Sequence, residues 1–298
     1  MATKQVLVVG GAGGVGSAVV NLLVSRGCKV VTTVLSPQEA ASVLERHGGR
    51  VQCHIVDLSD AEAALSEMKE IVSSMDGLNA VAVCAAIAPA GPMELTALST
   101  YLKAYEINCV SAVAIYQATM PALRQTGGRI VLLGSMAGRV AFTFMSAYIA
   151  TKFALEGLCD VMRREAAPQG VKVSLVQPGG IRTNMVHQQL VDVRRDLAAL
   201  DEKDRDLHGY LYEGYLRVAE RGLGEGASTA DQVAEVVLEA LEAEEPESRY
   251  VAGEDAKHML GSIGTMSDRD IDRFFNEMFL QAHYPLIPSS PTVAFSVA

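Results

Sequence analysis

Positive charge is scarce in this 298-residue chain: 25 lysines and arginines face 35 aspartates and glutamates, a formal net charge of -10. That balance argues against a nucleic-acid groove, because a phosphate backbone demands a basic face. It leaves room for an acidic cofactor, since backbone amides can bind phosphate on an acidic protein. No CxxC pair is present. The five cysteines, Cys28, Cys53, Cys84, Cys109 and Cys159, are scattered, which reads as buried thiols in a reducing compartment and not as a disulfide frame. No targeting segment is visible, because the apolar run in MATKQVLVVGG is too short and ends in glycines. No stretch suffices for a membrane span, since Ala80 to Met93 is broken by Pro89, Gly91 and Pro92. Linkers and solenoid-period repeats are also missing. A cytoplasmic, single-domain protein is the expectation, without a metal site, and its 49% apolar residues allow a sizeable core.

What is present alternates. Gln5 to Gly11 is a continuous apolar run, as suits a strand buried on both faces. A helix pattern runs from Val15 to Arg26 and a strand from Lys29 to Leu35; RVQCHIVDLSD supplies a third strand. Ser59 with Glu62 predicts a capping box for a helix through Met75. NAVAVCAAI is a fourth strand, Leu98 to Gln125 one long helix, and GRIVLLGS a fifth strand. Ala147 to Ala167 is a further helix and VKVSLVQPGG a sixth strand. Thr229 with Gln232 predicts a second capping box, opening a helix through Glu244, and RYVAG closes the series. Repeated βα alternation with apolar strands implies an α/β fold, a doubly wound parallel sheet. Residues 1–284 form one domain in this reading. Residues 184–226 break the rhythm as a long charged excursion carrying Tyr210, Leu211, Tyr212 and Tyr215, and 285–298 read as an extended tail.

The run VVGGAGGVGSAVV follows a strand and opens a helix, where a dinucleotide pyrophosphate meets helix N-terminal amides. Its glycines fit two registers, Gly11-x-Gly13-x-x-Gly16 or Gly10-x-x-x-Gly14-x-Gly16. The end of the second strand, VVTTVLSPQ, offers no acid before Glu39 and no Arg or Lys. A 2′-phosphate needs charge compensation, so the cofactor is NAD or NADP with a lean to NAD.

Tyr148 and Lys152 lie four apart and share a helix face. An ammonium beside a phenol favours the phenolate and lowers its pKa, which makes Tyr148 a candidate general acid or base. Ser135, at the end of the fifth strand, can hold a substrate oxygen beside it. With a nicotinamide over the strand ends, the set describes hydride transfer between a carbinol and a carbonyl.

These motifs, in order, resemble the short-chain dehydrogenase/reductase family from about Lys4 to Gly253: GGAGGVG, VDL at Val56 to Leu58, Asn108, Ser135, Tyr148 with Lys152, and PGGIRT at Pro178 to Thr183. The stretch from Tyr148 to Thr183 is most similar to the steroid and retinol dehydrogenase branch. The resemblance implies the second glycine register. It implies that Gly10, Gly14, Val15, Gly16, Leu35, Asp57, Leu58 and Ala85 line the adenosine side of the cofactor site. Tyr148, Lys152, Pro178, Gly179, Ile181 and Thr183 would hold the nicotinamide side. Tyr148 would exchange the proton, Lys152 would bind ribose, Ser135 would hold the substrate oxygen, and Asn108 would anchor a water relaying protons to Lys152. Two positions depart from the family pattern. Val9 stands where threonine is usual, and Val83 to Ala86 stand where Asn-Asn-Ala-Gly is usual; these bear on sheet cross-linking and cofactor fit.

Apolar segments after Ser135 (MAGRVAFTFMSA) and after the fourth strand (AAIAPAGPMEL) predict a mouth suited to a bulky hydrophobic alcohol or ketone, covered by residues 184–226. The helices from Leu98 and from Ala147 carry extra apolar residues, as do family counterparts that pair subunits, so a homodimer or homotetramer is expected. Alternatives stay open: a dihydrodiol or other small-alcohol dehydrogenase, or an NAD(P)-binding sensor or interaction protein without turnover.

Overall fold

A computed structural model of the chain describes residues 4–281; the tail expected at 285–298 lies outside them. Seven parallel strands form one sheet: β1 (Gln5–Val9), β2 (Lys29–Val34), β3 (Val51–Ile55), β4 (Ala80–Val83), β5 (Arg129–Leu133), β6 (Lys172–Pro178) and, last in the chain, β9 (Arg249–Ala252). Their order is β3-β2-β1-β4-β5-β6-β9. The order reverses beside β1, which opens a crevice at the carboxyl ends of β1 and β4. Two short strands, β7 (Ile181–Arg182) and β8 (Ser228–Thr229), pair separately.

Both faces of the sheet are covered, which explains the unbroken apolar strands. Along β1, Leu7 and Val9 enter one core with α3 (Ala61–Ser73), α5 (Ser111–Thr126) and α6 (Ser146–Ala166). Val6 and Val8 enter the other with α1 (Gly14–Ser25), α2 (Pro37–His47) and α9 (Ala230–Glu242). Truncating the fully buried Leu7 to alanine is expected to cost about 2–5 kcal/mol.

Three local readings change. Asp60, not Ser59, caps α3, accepting from the Ala63 amide at 3.0 Å. The Ser59 amide donates to Asp57 Oδ1 at 2.8 Å, so the chain turns once more before the helix begins. The long helix expected from Leu98 is α4 (Leu98–Tyr105), a π-helical turn at Glu106–Val110, then α5. The excursion is not irregular: it is α7 (Asn184–Ala199) and α8 (Glu202–Glu225). With α10 (Glu254–Ile263) and α11 (Asp268–Leu280) they build a third core that holds Phe144, Leu190, Tyr212, Tyr215 and Phe275. The Thr229 and Gln232 capping box on α9 forms in full. Among the described residues no helix is long and apolar enough to cross a membrane.

Candidate active site

The glycine loop joins β1 to α1 in the crevice. Gly10 has φ +85°, and a Cβ there would lie 2.8 Å from Ala85 N and Cβ. A Cβ on Gly16 would meet Gly10 O at 2.1 Å. Gly11 has no room either, with Thr32 Oγ1 1.9 Å from where its Cβ would lie, whereas Gly13 has room for one; every glycine of the Gly10, Gly14 and Gly16 register is close-packed, and Gly13 alone sets the other register apart. The α1 N-terminus has no side-chain cap and no acid in its first turn. Its amides at Gly14, Val15 and Gly16 therefore present a positive end to the crevice.

The two departures at the strand ends leave the sheet intact. Cys84 N and Ala85 N both donate to Val9 O, at 2.9 and 3.1 Å, so backbone ties β4 to β1 there. Val83 is buried in the core. Around the rim, Leu35 is exposed, Leu58 is buried, and Asp57 is exposed with one carboxylate oxygen held by Ser59. That hydrogen bond holds the Asp57 carboxyl below its usual range.

Across the crevice, β6 ends at Pro178 and the chain turns through Gly179 and Gly180 into Ile181. Thr183 is the N-cap residue of α7, yet its side chain makes no capping bond. Its methyl reaches 2.6 Å from where a Gly14 Cβ would lie. The structure thus brings the two ends of the expected cofactor set, Gly14 and Thr183, into contact.

Tyr148 and Lys152 share one face of α6. Ser135, buried after β5, lies near the Tyr148 phenol, and its Oγ accepts from the Ala137 amide at 3.1 Å. Lys152 is 3% exposed, its Nζ donates to Leu133 O at 2.8 Å, and it sits 5.6 Å from the Tyr148 ring centroid. Burial lowers the Lys152 pKa to about 8, partly offset by the nearby Cys109 and Cys84 thiols. Burial raises the phenol of Tyr148, with Ser135 pulling the other way. The expected lowering of the phenol by lysine is therefore not what dominates, because the cost of burying a phenolate outweighs it.

Asn108 lies in the π-helical turn. Its Oδ1 accepts from Ile87 N, and its Nδ2 donates to Ile87 O and to Thr151 Oγ1, each at 2.9 Å. A cavity of about 10 Å³ is lined by Asn108, Lys152, Leu133 and Ala85, room for about one water. A larger cavity of about 280 Å³ lies apart from the catalytic-type residues, against Arg139, Phe153, Ile271 and Phe275.

Residues that spacing does not single out complete the site. Burial pushes the Tyr215 phenol up, and its hydroxyl donates to Gln189 Oε1 at 2.6 Å. Gln189 in turn donates to Ala88 O at 2.5 Å. Tyr212 and Tyr215 both pack on Phe144. The cluster of tyrosines in the excursion was the available signal, although Tyr210 points to solvent. Arranged this way, a hydroxyl pair and an amine can exchange protons with a ligand oxygen beneath an aromatic wall.

Residues 4–193 match the family model for short chain dehydrogenase. Among curated proteins, the chain is 28% identical over 280 residues to 3-amino-tetrahydro-pyrrolizinone reductase of Xenorhabdus hominickii, covering 93% of this chain and 96% of that protein. It is 30% identical over 265 residues to 17-beta-hydroxysteroid dehydrogenase type 1 of Homo sapiens, covering 85% and 79%. Among solved structures, a short chain dehydrogenase from Burkholderia cenocepacia in complex with NADP superposes with a TM-score of 0.68 at 20% identity, covering 95% of this chain and 98% of that one.

Proposed function

The chain belongs to the short-chain dehydrogenase family, oxidoreductases of CH–OH groups, and from that premise we propose that its substrate is a secondary alcohol or ketone on a bulky hydrophobic skeleton, steroid-like, terpenoid or aromatic. The observation that carries the reading is the buried Tyr148 phenol near Ser135, with Phe144, four residues before it, packed against Tyr212 and Tyr215 as an aromatic wall. An apolar pocket with few convergent polar groups suits such a ligand.

The uncapped α1 N-terminus and the close-packed Gly10 and Gly16 fit a dinucleotide pyrophosphate. Gly14, Val15 and Gly16 would hold the phosphates; Leu35, Asp57, Leu58 and Ala85 would line the adenosine; Pro178, Gly179, Ile181 and Thr183 would hold the nicotinamide end. A dinucleotide held there would supply hydride chemistry at its nicotinamide. Ser135 orients the substrate oxygen, and Tyr148 gives its proton to that oxygen in reduction or takes it in oxidation. Lys152 binds the ribose and carries positive charge beside the phenol. Asn108 holds a water that links Lys152 to solvent.

The cofactor is NAD. Glu39 Oε2 accepts from the Leu35 amide at 2.8 Å, which supports a carboxylate at the end of β2 where a 2′-phosphate would be repelled. The Burkholderia relative holds NADP, so both cofactors are titrated. The assembly is a homodimer or homotetramer through α4 and α6, which pack together and expose Leu98, Leu102, Phe153 and Val161.

The test is cofactor-linked absorbance with NAD(H) and NADP(H) over steroids, retinoids, aromatic ketones and polyols, beside Tyr148→Phe. Turnover of the apolar substrates that disappears in the variant is the expected result. Turnover of polyols alone would overturn the substrate class, and cofactor binding without turnover would favour a sensor.

A further inference from the structure

Asp255 occupies an unusual place. It lies in the first turn of α10, behind the N-cap Gly253, and its Oδ2 accepts from the Gly180 amide at 2.7 Å. Ideal Cβ positions on its neighbours show how closely it is packed. A Cβ on Gly179 would lie 2.2 Å from Oδ2 and 2.3 Å from Oδ1, and one on Gly253, at φ +101°, would lie 2.5 Å from Oδ1. Oδ1 is buried without a hydrogen-bond partner. The first-turn Glu254 pairs with Lys257, whereas Asp255 is turned inward.

Burying a carboxylate costs free energy unless donors and charge compensate it. Here one amide and the positive end of α10 do so. The same segment is fixed from two other sides. Gly179 N donates to Ala252 O at 3.0 Å, and Gly180 O accepts from Ser228 N at 2.9 Å. Three residues beyond Gly180, Thr183 meets Gly14. Glycine at 179 and 253 thus admits a carboxylate, and that carboxylate fixes the start of the turn whose far end faces α1.

We infer that Asp255 is a positioning residue of the nicotinamide end of the cofactor site: its carboxylate holds the Gly179–Gly180 turn and thereby sets Ile181 and Thr183. The inference rests on the cofactor reading above. It requires no contact between Asp255 and the cofactor, and it predicts a defect confined to one end of the dinucleotide.

The test measures binding, by calorimetry, of the reduced cofactor that the wild-type chain prefers, beside ADP-ribose (or its 2′-phosphate), which lacks the nicotinamide. Asp255→Ala removes the acceptor; Asp255→Asn keeps an acceptor for Gly180 but puts an NH2 where Oδ1 lies buried. Expected for Asp255→Ala is at least tenfold weaker binding of the reduced cofactor with ADP-ribose unchanged within twofold. Expected for Asp255→Asn is a smaller loss with the same selectivity, and this variant carries the test alone if the alanine variant does not fold. Wild-type affinity for both ligands in the variants, or an equal loss of both, overturns the role of Asp255. A wild-type chain that binds neither ligand overturns the cofactor reading itself, and the inference with it.

Discussion

Tyr215 stacks on Phe144, ring centroids 4.8 Å apart and planes inclined by 25°, and Phe144 is the one non-glycine among the described residues with positive φ, at 78°. A left-handed backbone costs a bulky residue roughly 1–2 kcal/mol. The stack on Tyr215, the edge contact of Tyr212 at 4.9 Å and the bond from Gly91 N to Phe144 O at 2.7 Å offset it. The excursion is thereby coupled to the loop that enters α6 four residues before Tyr148.

Tyr215→Ala is expected to lower stability by about 3–5 kcal/mol, in the range of buried aromatic truncations, and to loosen the wall beside Tyr148. Tyr215→Phe keeps the stack and loses only the bond to Gln189, worth about 1 kcal/mol. Thermal melts should therefore separate the two variants. Steady-state kinetics should show KM for bulky substrates rising far more in the alanine variant. Equal effects of the two variants would mean the hydroxyl, not the ring, is what matters.

Tyr148→Phe is expected to fold and to bind cofactor as the wild type does, since it removes one oxygen and keeps the ring. Turnover should fall by about 10²–10⁴, the usual worth of a general acid or base. Retention of a tenth or more of the wild-type rate would move the proton transfer to another group.

The pH dependence follows from the shifts at the same pair. Burial raises Tyr148, so the phenol stays protonated through neutral pH and is ready to donate. Reduction should run on a plateau there and fall only in alkali, while oxidation, which needs the phenolate, should climb with pH. For Lys152 the folded pKa is about 8 against 10.5 in the unfolded chain. Between these values the unfolded state binds more protons, so stability rises with pH across that window. The destabilisation, about 3 kcal/mol, is complete below about pH 8 and gone above 10.5. Lys152→Met should flatten this rise in urea melts recorded from pH 7 to 10.5.

Much of this was legible before any coordinates. Strands with no polar interruption, such as Val6 to Val9, follow from burial on two faces, and the glycine, serine, tyrosine and lysine positions are local in sequence. What was hidden depends on long-range geometry. The π-helical turn carries Asn108, which bonds to Ile87, 21 residues away. The helical excursion is stabilised by packing α8 against α7 and α11, which no charge-rich segment announces in its own periodicity. Asp255 reads as an ordinary first-turn acid until Gly180 is found 75 positions earlier. Even the state of Tyr148 was reversed by burial, a quantity that i, i+4 spacing does not contain.

Leu98 and Leu102 on α4 are 81% and 73% exposed, and Phe153 and Val161 on α6 are 44% and 49% exposed. Exposed apolar side chains on two packed helices are what the proposed pairing of subunits through α4 and α6 would cover. On that proposal, Leu102→Glu should give a monomer in light scattering where the wild type gives an oligomer, with the fold retained by circular dichroism. A wild-type chain that elutes as a monomer at micromolar concentration would remove this prediction.

Asn108 joins structure to mechanism, and one substitution can separate the two. Asn108→Ala leaves Ile87 N–H and C=O without their side-chain partner. Each buried unsatisfied group costs about 1–3 kcal/mol, so a loss of roughly 2–6 kcal/mol is expected for the two groups if no water replaces the amide. A purely architectural role ends there: well below the melting temperature, kcat would recover to near the wild-type value. A role in proton supply predicts otherwise. The cavity between Asn108 and Lys152 has room for about one water, and loss of a water bound there would slow proton exchange without weakening cofactor binding. The expected result is kcat reduced at least tenfold with cofactor Kd unchanged. The kcat loss should shrink in high concentrations of a small buffer able to shuttle protons. Loss of kcat that no buffer restores, or a matching loss of cofactor affinity, would assign Asn108 to architecture alone.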